Sequence, residues 1–235
     1  DLHGFTFTTA LLVMFTSQAV WDITDNQRGW TFVGAAIVYA AVAFYLCTQP
    51  RHLNLGITHA LTSTVLFTIG FLIMLDDEWL LVALTLEAIV WHLLNSRWQK
   101  TAVSIGTHLF SVILGGALLT RLLTPVGGDG ETAVRLLTDL FIIGSFVGIA
   151  WTVLPRTVKR IYLTIAHIAI LLLLWRELSP LNNGQVLISV TWGIYAVTLL
   201  IIGLRKNNNL LRIVGLITLF LLVGKLFVVD LEQVK

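Results

Sequence analysis

The sequence predicts an all-α, polytopic integral membrane protein with about nine transmembrane helices arranged as repeated antiparallel hairpins. Hydrophobic residues make up 57% of the 235 residues and charged residues only 12%, with a mean hydropathy of +0.87. A soluble domain carries roughly twice that charged fraction. Apolar runs near the ~20 residues that a helix needs to cross a bilayer recur along the chain. A short motif also repeats between these runs, which favours an internal repeat.

The apolar runs fall into nine candidate spans. The first is the least apolar because threonine, serine and glutamine interrupt it, and the seventh is the shortest. The longest connection, residues 124–139, contains Pro125 and several glycines, which forbid a continuous helix. We expect a short surface helix at residues 132–137 within it. No linker divides the chain, so residues 1–235 are expected to form a single transmembrane helical domain. The spans are residues 5–21, 30–48, 55–75, 79–94, 101–123, 136–154, 161–175, 186–204 and 210–229.

The loops between the spans alternate in charge. Lysine and arginine in short loops mark the cytoplasmic side of a membrane. The alternation therefore predicts a cytoplasmic N-terminus and a C-terminus outside. The basic loops contain Arg51; Arg97 and Lys100; Arg156, Lys159 and Arg160; and Arg205, Lys206 and Arg212. The acidic loops contain Asp22 and Asp25; Asp76, Asp77 and Glu78; Asp129, Glu131 and Asp139; Glu177; and Asp230 and Glu232.

The repeated motif is an aromatic residue near the end of one span, a basic loop, and a histidine in the next span. The distance from the last basic residue of the loop to the histidine is eight, eight and seven residues in three copies. A fourth copy has Tyr195, Arg205 and Lys206, but Val214 and Gly215 stand where the histidine would fall. The three histidines are His59, His108 and His167.

Glu87 is the clearest candidate for an intramembrane functional group, because a charged side chain inside a bilayer is costly. It lies roughly 10 Å below the predicted cytoplasmic edge, at 1.5 Å per residue. His59, His108 and His167 fall at similar depths in the third, fifth and seventh spans. A carboxylate and imidazoles in one layer can relay protons, bind a metal or coordinate a polar substrate. The structural alternative is that each forms a hydrogen bond between helices.

His108 follows Glu87 across one short basic loop, so the two side chains are predicted to pair if their helix faces agree. His92 lies in the same span as Glu87 but closer to the surface. Five residues turn a helix about 140° beyond a full turn, so spacing does not place His92 on the face of Glu87.

Lys225 is the second charge predicted inside a span. Trp192 and Tyr195 of the eighth span lie at similar depth, and together they form a candidate outer-side polar site for an anion or lipid headgroup. The alternative is that Lys225 extends to the interface and meets Asp230 or Glu232. Arg121 and Arg176 are interpreted as charges at the outer edge.

Composition and motifs exclude several classes of protein. The formal charge of +2 argues against a nucleic-acid partner, and Cys47 is the single cysteine, so no internal disulfide forms. No catalytic motif of the common hydrolase, metalloprotease or nucleotide-binding types is present, and no catalytic residue is assigned. No cofactor is predicted. Paired histidines on facing helices leave a metal ion or a haem as an alternative.

The closing segment, residues 189–231, contains Ser189, Trp192 and Tyr195, then Gly203 and Arg205, then Leu211, Arg212, Gly215 and Leu216, then Lys225, Phe227, Asp230 and Leu231. This pattern resembles the C-terminal hairpin of a large family of bacterial predicted membrane proteins of unknown function. The segment Leu-Glu-Ala-Ile-Val-Trp at residues 86–91 is similar to a second segment of that family, with Ala88 where glycine is common. The resemblance implies a bacterial cytoplasmic (inner) membrane. It also implies a short relative or the C-terminal part of a longer protein, and it supplies no reaction.

The leading functional hypothesis is a transporter-like or channel-like protein with a polar intramembrane site near the cytoplasmic side. The second is a non-catalytic subunit that scaffolds an envelope complex and contacts other membrane proteins. The third is a membrane enzyme that acts on a lipid-linked substrate, with Glu87 and a histidine as acid and base. The lipid bilayer is the predicted partner in all three.

Overall fold

The computed structural model describes the backbone of residues 2–20, 24–124 and 132–230. All regular structure in these residues is helical. A short 3₁₀ turn, Pro50–His52, precedes α3, and a π-helical segment, Leu226–Asp230, continues α9. The helices are α1 Leu2–Val20, α2 Asp25–Cys47, α3 Leu53–Met74, α4 Asp77–Trp98, α5 Thr101–Leu123, α6 Thr132–Thr152, α7 Arg156–Leu178, α8 Gly184–Arg205 and α9 Asn209–Lys225.

In the described ranges, eight helices are long and apolar enough to cross a membrane, and they are α2 to α9. The first helix contributes a shorter apolar stretch, His3–Thr16. Large apolar side chains point outward on every helix: Phe44 is 77% exposed and Phe220 is 79% exposed. Polar side chains such as His92 and Thr107 are buried instead. This distribution and the helix lengths are compatible with a polytopic membrane protein.

The chain divides into two compact units, Asp1–Glu87 and Ala88–Lys235, and the boundary falls inside α4. In the first unit, α2 and α3 pack closely. A Cβ atom on Gly70 would lie 3.2 Å from the carbonyl oxygen of Gly29, so glycine is what allows the backbones to approach. The buried core between these helices comprises Phe32, Ala36 and Leu66.

In the second unit, α8 packs closely against α9, and α7 packs against α5, α6 and α8. A Cβ atom on Gly215 would lie 3.0 Å from the carbonyl oxygen of Ala196, which again indicates glycine-dependent packing. The interior side chains of α5, α6 and α7 are mostly apolar near the middle of these helices. They include Leu114, Leu118, Ile142, Phe146, Ala166 and Ala169.

The observed helices extend the predicted spans at several ends. α7 begins five residues before its predicted span and ends three residues after it. The surface helix predicted at residues 132–137 is instead the first part of α6, which is continuous to Thr152. The glycine-rich part of the preceding loop, residues 125–131, lies outside the described residues. The helices are longer than the apolar spans because the backbone hydrogen bonds of a helix can continue through polar residues at its ends.

Close packing is seen for three of the predicted sequential pairs, α2 with α3, α6 with α7, and α8 with α9. The hairpin interpretation of α4 and α5 stays a prediction. Two of the tight connections contain an asparagine with positive φ, Asn183 at 62° and Asn207 at 48°. Asparagine adopts this left-handed conformation more readily than most residues, which suits it to a tight reversal of the chain.

Candidate functional site

Glu87 and His59 lie in the first unit, in different settings. The Thr68 hydroxyl lies 3.2 and 3.0 Å from the two carboxylate oxygens of Glu87, to which it donates. His59 Nδ1 lies 2.9 Å from the carbonyl oxygen of Leu55, so this nitrogen carries hydrogen and donates to its own helix. The His59 ring also lies beside Tyr39, with 5.6 Å between centroids. Each side chain therefore has its own local partner.

His108 and His167 lie in the second unit and belong to separate networks. His108 Nδ1 lies 2.9 Å from the Tyr162 hydroxyl. His167 Nδ1 lies 3.0 Å from the Tyr195 hydroxyl, and its Nε2 lies 3.1 Å from the Thr218 hydroxyl. Within the described part of this unit, the two networks have no hydrogen-bonding residue in common. Glu87 lies in the first unit, so its predicted pairing with His108 stays a prediction.

The second unit contains a largely buried chain of polar side chains from three helices. His92 of α4 is fully buried, and its Nε2 lies 2.9 Å from the Ser111 hydroxyl of α5 and 3.2 Å from the Tyr162 hydroxyl of α7. Tyr162 in turn reaches His108 of α5 at 2.9 Å. We call these four residues the His92 cluster. Its two imidazoles and one phenol can each accept and release a proton.

Ring packing holds the His92 cluster in place. The centroids of His92, His108 and Tyr162 lie 5.5 to 5.9 Å from one another. Phe146 of α6 packs on Tyr162 at 5.4 Å, so four helices surround the cluster. Aromatic contacts of this kind contribute about 0.5–1.5 kcal/mol each beyond the burial of area. The rings of the cluster are therefore packed against one another.

One atom of the His92 cluster is unsatisfied: among the residues that the structure describes, the buried Nδ1 of His92 has no hydrogen-bond partner. Leaving a buried polar atom without a partner costs about 1–3 kcal/mol. Such an atom in an otherwise bonded cluster indicates a place where a water molecule, a proton or a ligand is accommodated. This atom makes the His92 cluster the strongest candidate site.

The predicted outer-side site is divided between two sets of contacts. Lys225 Nζ donates to the Ser189 hydroxyl at 2.7 Å and to the carbonyl oxygen of Gln185 at 3.1 Å. Tyr195 instead belongs with His167. The Nε1 of Trp192 is buried without a hydrogen-bond partner in the described ranges. The carboxylates proposed as alternative partners of Lys225, those of Asp230 and Glu232, lie outside the described side chains.

A buried charge cluster corrects the interpretation of Asp139, Arg121 and Arg176 as loop or outer-edge charges. Asp139 lies inside α6 and is fully buried. Arg121 Nε lies 2.8 Å from one oxygen of its carboxylate, and Arg176 Nη2 lies 2.6 Å from the other. Arg176 also contacts Glu177 at 2.6 Å. Two guanidinium groups compensate the carboxylate, which is the condition under which such a group is found buried.

In the described residues, no group of three or more histidine, cysteine or carboxylate side chains is arranged to hold a metal ion. Comparison with known proteins finds no family, no curated sequence and no solved structure that matches the chain. The resemblance of the closing segment therefore stays an expectation, and arguments about function rest on the arrangement of the side chains.

Proposed function

We propose that this protein is a transporter-like or channel-like integral membrane protein whose polar site is the His92 cluster. The observation that carries the proposal is the buried Nδ1 of His92, which has no hydrogen-bond partner among the described residues and lies in a chain of hydrogen-bonded polar side chains. A subunit that only scaffolds a complex gains nothing from an unsatisfied polar atom at this position, since it lowers stability. A site that accommodates a moving species needs an atom that is free to bind it.

The proposed setting is a bacterial cytoplasmic membrane, with nine spans arranged as hairpins, the N-terminus inside and the C-terminus outside. The apolar helices support a membrane location, and the alternating loop charges are the basis of the proposed orientation. The bacterial membrane is proposed from the resemblance of the closing segment alone. The lipid bilayer is the proposed partner, and other membrane subunits are a further candidate. Glu87, His59 and His167 are proposed as polar residues of the same membrane layer.

Charge movement tests the proposed function. Purified protein in vesicles of phosphatidylethanolamine and phosphatidylglycerol is adsorbed to a solid-supported membrane and exposed in turn to gradients of Na⁺, K⁺, Cl⁻ and H⁺. We expect a transient current for at least one gradient, and its loss in His92→Phe. His52→Phe is the matched control, because His52 is exposed in a loop turn. Currents at the level of protein-free vesicles for all four gradients contradict the proposal.

A further inference from the structure

We propose that the His92 cluster is a proton relay, in which a proton taken up at Nδ1 of His92 is passed through Tyr162 to His108. The inference rests on the proposed function and names the species that moves. It rests on where the hydrogen atoms of His92, Tyr162 and His108 lie, as assigned from the hydrogen-bond partners of each residue.

Ser111 fixes the hydrogen on His92. The Ser111 hydroxyl donates its one hydrogen to the carbonyl oxygen of Thr107, 2.9 Å away in the preceding turn of α5. With its hydrogen in this bond, the Ser111 oxygen accepts at His92 Nε2, 2.9 Å away. In this arrangement Nε2 carries the hydrogen, and a neutral imidazole then has a bare lone pair on Nδ1.

Tyr162 accepts a hydrogen bond from His92 and donates one to His108. Its oxygen lies 3.2 Å from the hydrogen-bearing Nε2 of His92 and accepts a share of that hydrogen. The Tyr162 hydroxyl is then free to donate to His108 Nδ1, 2.9 Å away. His108 therefore carries its own hydrogen on Nε2. The hydrogens of His92 Nε2 and of the Tyr162 hydroxyl therefore both point towards His108.

A proton transfer along this chain balances without any other reactant. A proton binds the lone pair of His92 Nδ1, and the bond from Nε2 to its hydrogen breaks as that hydrogen moves to the Tyr162 oxygen. The original hydroxyl hydrogen of Tyr162 moves to His108 Nδ1, which makes His108 an imidazolium. His108 then releases the proton on Nε2. The hydrogen bonds now point the other way, so the side chains must reorient before the next transfer.

The two ends of the relay differ in burial. His92 is fully buried and His108 is partly exposed. Release at His108 therefore needs little rearrangement, while proton uptake at His92 needs the surrounding helices to admit water. The ionisable groups of the cluster are those of His92, His108 and Tyr162, and α6 contributes the apolar ring of Phe146. Uptake at His92 is the step that a conformational change would control.

His167 shows what a closed network of the same residue types looks like. Thr218 donates to the carbonyl oxygen of Val214 at 2.8 Å, so its oxygen accepts from His167 Nε2. Tyr195 donates to Nδ1 of the same ring. Both nitrogens of His167 are satisfied, which leaves no lone pair for an incoming proton. The open end at His92 is thus a specific feature of one network.

Proton flux into vesicles tests the relay. The purified full chain is reconstituted in vesicles of phosphatidylethanolamine and phosphatidylglycerol that contain the pH dye pyranine, with K⁺ and valinomycin to balance charge. We expect an imposed acid pulse to acidify wild-type vesicles, and Tyr162→Phe to conduct no faster than protein-free vesicles. Phenylalanine keeps the ring that packs on Phe146 but has no hydroxyl. Tyr39→Phe is the matched control and should retain the wild-type rate, because Tyr39 contacts a histidine outside the His92 cluster.

His108→Gln provides a second variant if Tyr162→Phe does not fold, because His108 is partly exposed. Glutamine cannot take up the relayed proton, so we expect the same loss of flux. A wild-type rate in either folded variant overturns the relay. The relay is also overturned if wild-type vesicles acidify no faster than protein-free vesicles. In that case the currents with Na⁺, K⁺ and Cl⁻ show whether the protein transports another ion or whether the proposed transport function fails as well.

Discussion

Histidines in equivalent positions of the sequence repeat have different hydrogen-bonding roles. His59 donates to its own helix, His108 forms a hydrogen bond with Tyr162, and both nitrogens of His167 lie within hydrogen-bond distance of a hydroxyl group. The role depends on which residue the neighbouring helix presents. The Tyr162 hydroxyl of a neighbouring helix gives His108 a hydrogen-bond partner. His167 has two such partners, the hydroxyl groups of Tyr195 and Thr218. Equivalent sequence positions therefore do not imply equivalent chemistry.

The Glu87–Thr68 contact gives a prediction at the residue scale. We expect Glu87→Gln to change the free energy of unfolding in detergent by less than about 0.5 kcal/mol, because the amide oxygen still accepts from Thr68. Thr68→Val is the counterpart that removes the donor. It should lower stability by about 1–3 kcal/mol, the cost of an unsatisfied partly buried group. A larger loss for Glu87→Gln than for Thr68→Val contradicts this reading of the contact.

The residues of the His92 cluster could be predicted only in part. His108 follows from the repeat, and its polarity inside a span made it a candidate. The spacing does not place His92 on the face of Glu87, and nothing in it indicates that His92 faces α5 and α7. Ser111 and Tyr162 carry a weaker signal, because single hydroxyl groups are common in membrane helices. Only the packing of three helices, given by tertiary structure, brings the four side chains together.

At the scale of helices, α4 to α7 carry two polar clusters separated by apolar packing. The His92 cluster lies towards the beginnings of α5 and α7, and the Arg121–Asp139–Arg176 cluster lies towards their ends. Hydropathy predicts such helices well, because each is an apolar run of sufficient length. It does not predict which faces meet, because a helix that is apolar on every side has no distinctive face. For this reason the sequence does not predict the burial of Asp139.

Asp139 gives a prediction at the element scale. Asp139→Asn removes the negative charge that pairs with the guanidinium groups of Arg121 and Arg176. We therefore expect the free energy of unfolding to fall by about 3–5 kcal/mol. Glu177→Gln is the matched control: it contacts the same Arg176, but its side chain is 23% exposed. It should cost at most about 1 kcal/mol. Reversible unfolding in detergent micelles measures both variants, and equal losses would show that burial of Asp139 is not what stabilises the cluster.

At the scale of the whole molecule, the same kind of packing occurs in two helix pairs. Glycines allow close approach in α2 with α3 and in α8 with α9, while large apolar side chains lie outside. The high content of apolar residues is therefore enough to predict a structure built from apolar helices. The number of spans that cross the membrane and the side on which each loop lies depend on the bilayer, and loop charge is the sequence feature that predicts them.

Cysteine labelling tests this topology. Single cysteines replace Arg51, Arg97, Arg156 and Arg205 in a Cys47→Ala background, and sealed vesicles are treated with a membrane-impermeant maleimide. We expect all four positions to be labelled from the same side, because every second loop is basic. Any one position labelled from the opposite side contradicts the nine-span arrangement.

The hydrogen positions in the His92 cluster are the most direct test of the central claim, that this cluster is open at His92. Selective ¹⁵N labelling of histidine allows the imidazole nitrogens to be distinguished by NMR in lipid vesicles, with His92→Gln used to assign the His92 signals. At neutral pH we expect a hydrogen on Nε2 of His92 and a bare Nδ1. A hydrogen on Nδ1, or a hydrogen bond to that atom from another side chain, would contradict an open end of the cluster at His92.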